Sequence, residues 1–467
     1  MLDQDFDSDD SDFFLVERGL VSTVKKAFLP GFGEDTSVPR WIAVKTATTW
    51  HKYAKQPHDV IKELRLLSAV SHSNIINVLD HTYDRAAWTM HIWMPYIPIS
   101  FDRVLDSPSF SPHPYSSTLS YPTSNSRLGI GTLTKRFTLI TKSIIYQILS
   151  AIAYLHNASR NIAHRDIKPR NVLLTKEGCV KLIDFGISWK SDESEQVQRG
   201  DLWPERPDDM CTAVSTGPYR APELLFGPKS YDAFAADLWS LGTTFAEFFT
   251  PLELVPEEGD DDEYDNVRER SQFDPTQPQP PFIVPPDNDI DSKWYRTSLF
   301  NGRRGELGLL WSIFKIRGTP TAETWPGFKD LTSARSVTFN VVPPIPLSSR
   351  LPNLPTCSSD NYYDPSTTSS ISGSAAVPHD ESEPSPLDLV SRFLAYPPEK
   401  RLKAQEALSH PWITCGEPLL LPQGYLLSQD ENLRGHAITE WNGKSLGELI
   451  QQILAHDKDD GSSNDDE

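Results

Sequence analysis

Cysteine and positive charge are both scarce in this chain. Four cysteines occur in 467 residues, Cys179, Cys211, Cys357 and Cys415, far apart and with no CxxC pair. That argues against a disulfide framework and a cysteine zinc site, and a reducing compartment is expected. Lysine and arginine total 44 against 64 acidic residues, a formal net charge of −20. This balance argues against nucleic acid as the main ligand, because phosphate backbones are held by basic side chains. No apolar run reaches spanning length, and the N-terminus is acidic, unlike a secretory leader. Neither nucleic acid nor a membrane is therefore an expected partner. The expected location is the cytoplasm, the nucleus or both.

What is present is length, 467 residues being enough for two lobes with separate cores, and a hydrophobic content of 38% that suits a globular protein. Acid concentrates in residues 1–11, in a run from Glu257 and in the tail 456–467. Such blocks read as disordered and solvated, with docking of basic partners as the alternative. Residues 106–134, 251–297 and 351–386, rich in Ser, Pro, Thr or acid, lack a sustained period and are expected to be long loop insertions. They are either passive or sites of docking or phosphorylation. Between them, Trp41–Lys45 reads as a strand, Val60–Leu67 as a helix, and Ser143–Leu155 as a buried amphipathic helix. Asp237–Phe249, apolar on nearly every side, reads as a helix at the centre of a lobe. Ser445 and Glu448 form a capping-box pattern ahead of Leu449, Ile450, Ile453 and Leu454, predicting one more packed helix.

The strongest chemical signal is His164-Arg165-Asp166-Ile167-Lys168-Pro169-Arg170-Asn171, followed 18 positions after Asp166 by Asp184-Phe185-Gly186. Moving a phosphoryl group needs a carboxylate beside the attacking hydroxyl and oxygen ligands for magnesium. Asp166 suits the first task, Lys168 can steady the transferred phosphate, and Asn171 and Asp184 suit the metal. The intervening Val172–Leu174 and Val180–Ile183 read as a hairpin carrying both groups to one place.

These residues resemble the catalytic loop and DFG motif of eukaryotic protein kinases. The resemblance spans about residues 13–413. It implies a two-lobed α+β fold, a small antiparallel β lobe with one helix beside a larger, mainly α lobe. The small lobe and hinge would be residues 12–97 and the large lobe 98–413, with a C-terminal extension at 414–455. The same resemblance implies ATP and Mg2+ as cofactors. Lys45, in Ile42-Ala43-Val44-Lys45, is similar to the lysine that grips the α- and β-phosphates, and Glu63 to its helical partner. Glu223 of Ala221-Pro222-Glu223 and Arg401 resemble a structural ion pair, and Asp237 the aspartate that holds the catalytic loop. The adenine pocket would be formed by Val24, Ala43, Met94, Pro95, Ile97 and Leu173, with Ile97 supplying the N–H donor. Lys168 and Thr216 follow the Ser/Thr-specific pattern.

Tyr219–Leu225, Ile316–Pro320 and Trp325-Pro326-Gly327 look like the cyclin-dependent-kinase-like (CMGC) group. Pro57–Glu63 is similar in outline to that group's cyclin-facing helix. Two stretches depart from the pattern. Glu17, Gly19 and Ser22 stand at the three glycine positions of the phosphate loop. Cys211 stands where the activating threonine belongs, with Thr212 next to it and Asp208 or Asp209 at hand to meet Arg165. Together these features resemble the fungal single-subunit CDK-activating kinases. That implies a monomeric serine/threonine kinase acting on a cyclin-dependent kinase in cell-cycle or transcription control. A cyclin-dependent proline-directed kinase and a pseudokinase scaffold are the alternatives.

Overall fold

The computed structural model describes residues 13–19, 21–28, 41–115, 126–256, 278–285, 292–355, 385–425, 433 and 435–460. The N-terminal lobe is built on strands β1 (Phe13–Arg18), β2 (Ser22–Phe28), β3 (Trp41–Thr48), β4 (Asp80–Asp84) and β5 (Thr89–Pro95), with helix α1 (Val60–Ser68). The five strands form one antiparallel sheet in the order β1-β2-β3-β5-β4. Alternation fixes the register: Ile42 and Val44 on β3 and Met90, Ile92 and Met94 on β5 are buried. Asp59 caps α1, accepting from the N–H groups of Ile61 (3.0 Å) and Lys62 (2.9 Å).

The chain then enters a mainly helical lobe through β6 (Ile99–Ser100) and α2 (Phe101–Leu105) to α3 (Ser126–His156). Small strands follow: β7 (Ile162–Ala163), β8 (Val172–Leu174), β9 (Val180–Leu182) and β10 (Trp189–Lys190). β8 and β9 form the antiparallel hairpin expected from their sequence. Helix α4 (Ala233–Ala246) runs through the lobe centre, with Leu238, Trp239, Leu241 and Phe245 buried, three residues short of the expected end at Phe249. Asp232 caps it through the Ala235 N–H (2.9 Å). Its Gly242 lies against Phe393 and Leu394, where a Cβ would come within 2.8 Å of both side chains. Helix α5 (Gly305–Arg317), helix α6 (Pro386–Phe393) and the C-terminal helix α7 (Leu446–Asp460) complete the lobe.

The structure corrects several boundaries. Residues 106–134 are not all loop: α3 begins at Ser126, well before Ser143, and Phe110 is buried. Residues 251–297 contain a three-stranded sheet of β11 (Leu252–Pro256), β12 (Phe282–Ile283) and β13 (Ser292–Arg296). Two long-range anchors explain this order. The Arg296 guanidinium donates to the carbonyls of Leu105 (3.0 Å), Thr250 (2.9 Å) and Phe110 (2.7 Å). Tyr115 packs on Phe282 and Trp294, with ring centroids 5.2 and 4.9 Å away, joining the two stretches. Most of 351–386 lies outside the described residues, and Pro386 already belongs to α6. The tail is likewise helical as far as Asp460, while residues 1–11 and 461–467 lie outside the described residues. The Ser445–Glu448 capping box forms as expected: the Ser445 N–H and hydroxyl donate to Glu448 Oε2 at 2.7 and 2.8 Å. The expectation that no apolar run reaches spanning length is also corrected: Gly131–His156 is long and apolar enough to cross a membrane, and 89% of its most apolar window is buried inside the protein, as in a core helix.

Candidate active site

The site lies where β3, α1, the β8–β9 hairpin and the segment before α4 converge. β3 carries Lys45 and α1 carries Glu63, and the short helix brings them together: Lys45 Nζ donates to both Glu63 carboxylate oxygens at 2.8 Å. The same ammonium donates to Asp184 Oδ1 at 2.8 Å. Burial opposes the Lys45 charge, but Asp184 and Glu63 outweigh it and hold its pKa above the ordinary lysine value. Burial likewise opposes ionisation of Asp184, and Lys45 wins, holding that carboxyl well below the usual range. Asp184 has φ 65°, in the left-handed region, which turns its carboxylate toward β3.

The second half of the site is the loop from His164 to Asn171. Asp237, fully buried on α4, accepts from the backbone N–H groups of Arg165 and His164, both at 2.7 Å. The loop is thereby tied to the buried central helix of the lobe. Asp166 Oδ2 accepts from Lys168 Nζ (2.8 Å) and Asn171 Nδ2 (2.9 Å). Its other oxygen accepts from the Thr216 hydroxyl at 2.8 Å, and Lys168 Nζ also donates to that hydroxyl at 2.8 Å. A hydroxyl thus sits between a carboxylate and an ammonium, as an acceptor hydroxyl would need to. With its amide nitrogen turned to Asp166, the Asn171 side chain presents its oxygen elsewhere. Phe185 is buried against His164, ring centroids 4.8 Å apart, linking the two halves.

The expected nucleotide positions lie on neighbouring strands. Val24 pairs with Lys45 across β2–β3, and Ala43 pairs with Met94 across β3–β5. Met94 is buried, Pro95 ends β5, Ile97 is half-buried beyond it, and Leu173 lies on β8. Glu17 faces Val24 beside a bulge, and the Gly19 N–H donates to the Ser22 carbonyl at 2.9 Å, closing the β1–β2 turn. Away from the cleft, Arg401 and Glu223 form a buried two-pronged pair at 2.6 and 2.7 Å, with the guanidinium 5.2 Å from the Trp239 ring centroid.

One expectation is overturned. Asp208 and Asp209 do not meet Arg165. Arg206–Asp209 form a tight turn that leaves both carboxylates exposed, with Asp208 on Arg206 at 3.3 Å. Glu205 takes the place: its carboxylate accepts from Arg165 Nη1 and Nη2 at 2.8 and 2.6 Å, from Lys62 at 3.2 Å and from the Cys211 N–H at 3.0 Å. Burial works against its charge, yet Arg165 and Lys62 pull its pKa down to about 2. Cys211 is half-buried and accepts the Tyr231 O–H on its carbonyl at 2.8 Å; the Thr212 carbonyl accepts from Arg220 at 2.8 Å. Sequence reasoning also missed Trp203, Arg65 and Asp201. A run of acidic residues and a tryptophan between Asp184 and Glu223 was the available signal.

A protein kinase domain signature matches residues 33–413. The chain is 27% identical over 381 residues to Serine/threonine-protein kinase ssn3 of Aspergillus clavatus, covering 79% of this chain and 68% of that one. It is 27% identical over 272 residues to Cyclin-dependent kinase 20 of Danio rerio and 30% identical over 289 residues to ssn3 of Aspergillus fumigatus. Those matches cover 58% and 60% of this chain, and about half of the relatives' length, 53% of each. Among solved structures, the CAK complex of Chaetomium thermophilum bound to ATP-gamma-S contains a chain of the same fold. Its TM-score is 0.52 at 22% identity, with 86% of this chain and 90% of that one covered.

Proposed function

This chain belongs to the protein kinase family, as a cyclin-dependent-kinase-like serine/threonine kinase, and we propose that it phosphorylates the activation segment of other cyclin-dependent kinases. The observation that carries this reading is the Arg165–Glu205 pair. A kinase whose own activation segment is held by a fixed carboxylate needs no kinase above it, which suits an enzyme that starts a phosphorylation chain. The Cys211 thiol, which cannot hold a stable phosphate as threonine does, agrees with that.

In the proposed mechanism Asp166 orients the acceptor hydroxyl and takes its proton as the new O–P bond forms and the bond from the γ-phosphorus to the β,γ-bridging oxygen breaks, releasing ADP. Lys168, already within reach of both Asp166 and a hydroxyl, holds the moving phosphoryl oxygens. Lys45, fixed by Glu63, holds the phosphates upstream. ATP supplies the γ-phosphoryl group, and Mg2+ neutralises phosphate charge when bound. The donors suit that ion: the Asp184 carboxylate and the Asn171 amide oxygen are hard oxygen ligands, and phosphate oxygens and water would fill the remaining positions.

The test uses the purified single chain with a cyclin-dependent kinase, ATP and Mg2+, and no cyclin for this chain. Phosphate on the substrate's activation-segment threonine, lost when that threonine is alanine, is the expected result. Transfer confined to Ser/Thr-Pro peptides and dependent on an added cyclin would overturn the reading.

A further inference from the structure

Helix α1 has nine residues, fewer than the ~12–15 that an isolated helix needs to be even marginal in water. Yet it must present Glu63 to Lys45 with sub-ångström accuracy, so something has to hold it. Its inner face packs on the sheet through Leu66 and Leu67, both buried. Its polar side is covered by residues 193–205 of this same chain.

The contacts run along the helix from end to end. At the N-terminus, Trp203 donates its backbone N–H to Asp59 Oδ2 and its indole N–H to the His58 carbonyl, both at 3.0 Å. The indole also packs on the His51 ring, centroids 4.1 Å apart. Asp59 therefore caps α1 with one oxygen and holds Trp203 with the other, and its own N–H donates to the Gly186 carbonyl at 2.8 Å. In the middle, Lys62 reaches Glu205 at 3.2 Å. At the C-terminal turn, Arg65 makes a two-pronged pair with Glu193 and donates to Asp201 at 2.7 and 3.3 Å. Burial opposes the Arg65 charge, and Glu193 and Asp201 reverse that, raising its pKa.

We propose that Trp203 and Arg65 are positioning residues that clamp α1 from within the chain, so that residues 193–205 hold the Lys45–Glu63 pair together without a second subunit. Neither residue touches the reacting atoms; they act through Glu63. The clamp rests on the reading of the cleft as a phosphotransfer site, not on the identity of the substrate. It also assigns a partner consequence: the polar face of α1, covered by these side chains, is closed to an activating protein.

The experiment compares full-length wild type, Trp203→Ala, Trp203→Phe, Arg65→Ala and Arg65→Lys as single purified chains. A generic basic acceptor protein is the substrate, with hydrogen exchange followed across Val60–Ser68. Trp203→Ala and Arg65→Ala should each lower kcat/KM for ATP at least tenfold while KM for the acceptor protein stays within twofold. Exchange in α1 should quicken, and exchange in α4 should not change. Trp203→Phe and Arg65→Lys should recover part of the loss, because they keep the ring contact or the charge. Arg65, partly exposed, keeps the test decisive if Trp203→Ala fails to fold. Rates within twofold of wild type in Arg65→Ala, or a loss shared equally by acceptor KM and α4 exchange, would overturn the clamp. If the variants behave as expected but wild type leaves the activation segment of a cyclin-dependent kinase untouched, the clamp stands and the proposed substrate falls.

Discussion

At the scale of single residues, the site is a set of charges that satisfy one another before any substrate arrives. Lys45 lies between Glu63 and Asp184, so Lys45→Met leaves the buried Glu63 carboxylate and the half-buried Asp184 carboxylate without their shared cation. Turnover should fall by roughly 10²–10³-fold or more, with the fold retained at a lower melting temperature. Asp184→Asn should abolish transfer to a similar extent with a smaller thermal cost, since the amide keeps an oxygen for Lys45. Near-normal turnover in either clean preparation contradicts the assigned chemistry. Glu205 carries a second expectation. A carboxylate brings about one charge where a phosphate brings roughly 1.5 to 2, but Glu205 meets Arg165 with two hydrogen bonds and Lys62 with a third. Phosphatase treatment, with Thr212 and Ser215 confirmed unmodified by mass, should therefore leave activity intact. Glu205→Gln should cost roughly tenfold or more, because two buried cations lose their anion. Recovery of a phosphatase-treated, inactive enzyme by phosphorylating Thr212 would sink this account.

At the scale of elements, legibility followed the range of the forces. The loop from His164 to Asn171 and the Asp184-Phe185-Gly186 turn could be read directly, because the chemistry demands those side chains at fixed local spacing. The Ser445–Glu448 cap and the β8–β9 hairpin were legible for the same reason. What escaped was order imposed from afar. Tyr115 meets Phe282 and Trp294 across more than a hundred and sixty residues of chain, and Arg296 ties both stretches to α2, so segments without internal period are nonetheless built. Glu205 was overlooked in favour of Asp208 and Asp209 because a tight turn, not proximity in sequence, decides which carboxylate faces inward. Close packing of elements gives one more expectation. Gly242 on α4 has no room for a Cβ, which would lie 2.8 Å from the Phe393 Cβ and the Leu394 side chain on the adjoining helix end. Gly242→Ala should destabilise by about 1–3 kcal/mol through overpacking, despite the better helix propensity of alanine. Equal or higher denaturant midpoints in the variant would show that α6 gives way freely.

At the scale of the whole molecule, stability should carry a pH signature from one buried carboxyl in the large lobe. Glu247 accepts the Tyr219 O–H at 2.9 and 3.1 Å, and burial raises its pKa from 4.5 to about 8. In the unfolded chain that carboxyl is ionised above pH 4.5, whereas in the fold it stays protonated until about pH 8. Between those limits the folded state binds more protons, so stability falls as pH rises, by about 1.4 kcal/mol per pH unit for one proton. Other groups act outside part of this range. Asp184 and Glu205, with depressed folded pKa values, contribute stability present above about pH 4.5 and lost in acid. His58, His72 and His91, lowered by burial, add stability as pH rises toward 6.5 and little beyond it. Asp106, raised to about 6, is mostly ionised by pH 7 and adds a small fall in stability below that, while Lys142, lowered to about 8, adds stability as pH rises from about 7 and so opposes Glu247 at the upper end. Burial also raises Glu63 and Asp201 and lowers Lys62, so the Glu247 share from pH 6.5 to 8 is read as the difference in slope between wild type and Glu247→Gln. Melting temperature measured across that window at fixed ionic strength should decline in wild type. Glu247→Gln keeps an acceptor for Tyr219 but cannot ionise, so its melting temperature should fall less steeply than wild type, most clearly between pH 6.5 and 7.5. An equal slope in both proteins would mean that Glu247 is already ionised in the fold at pH 6.5 and that its burial is balanced by its neighbours.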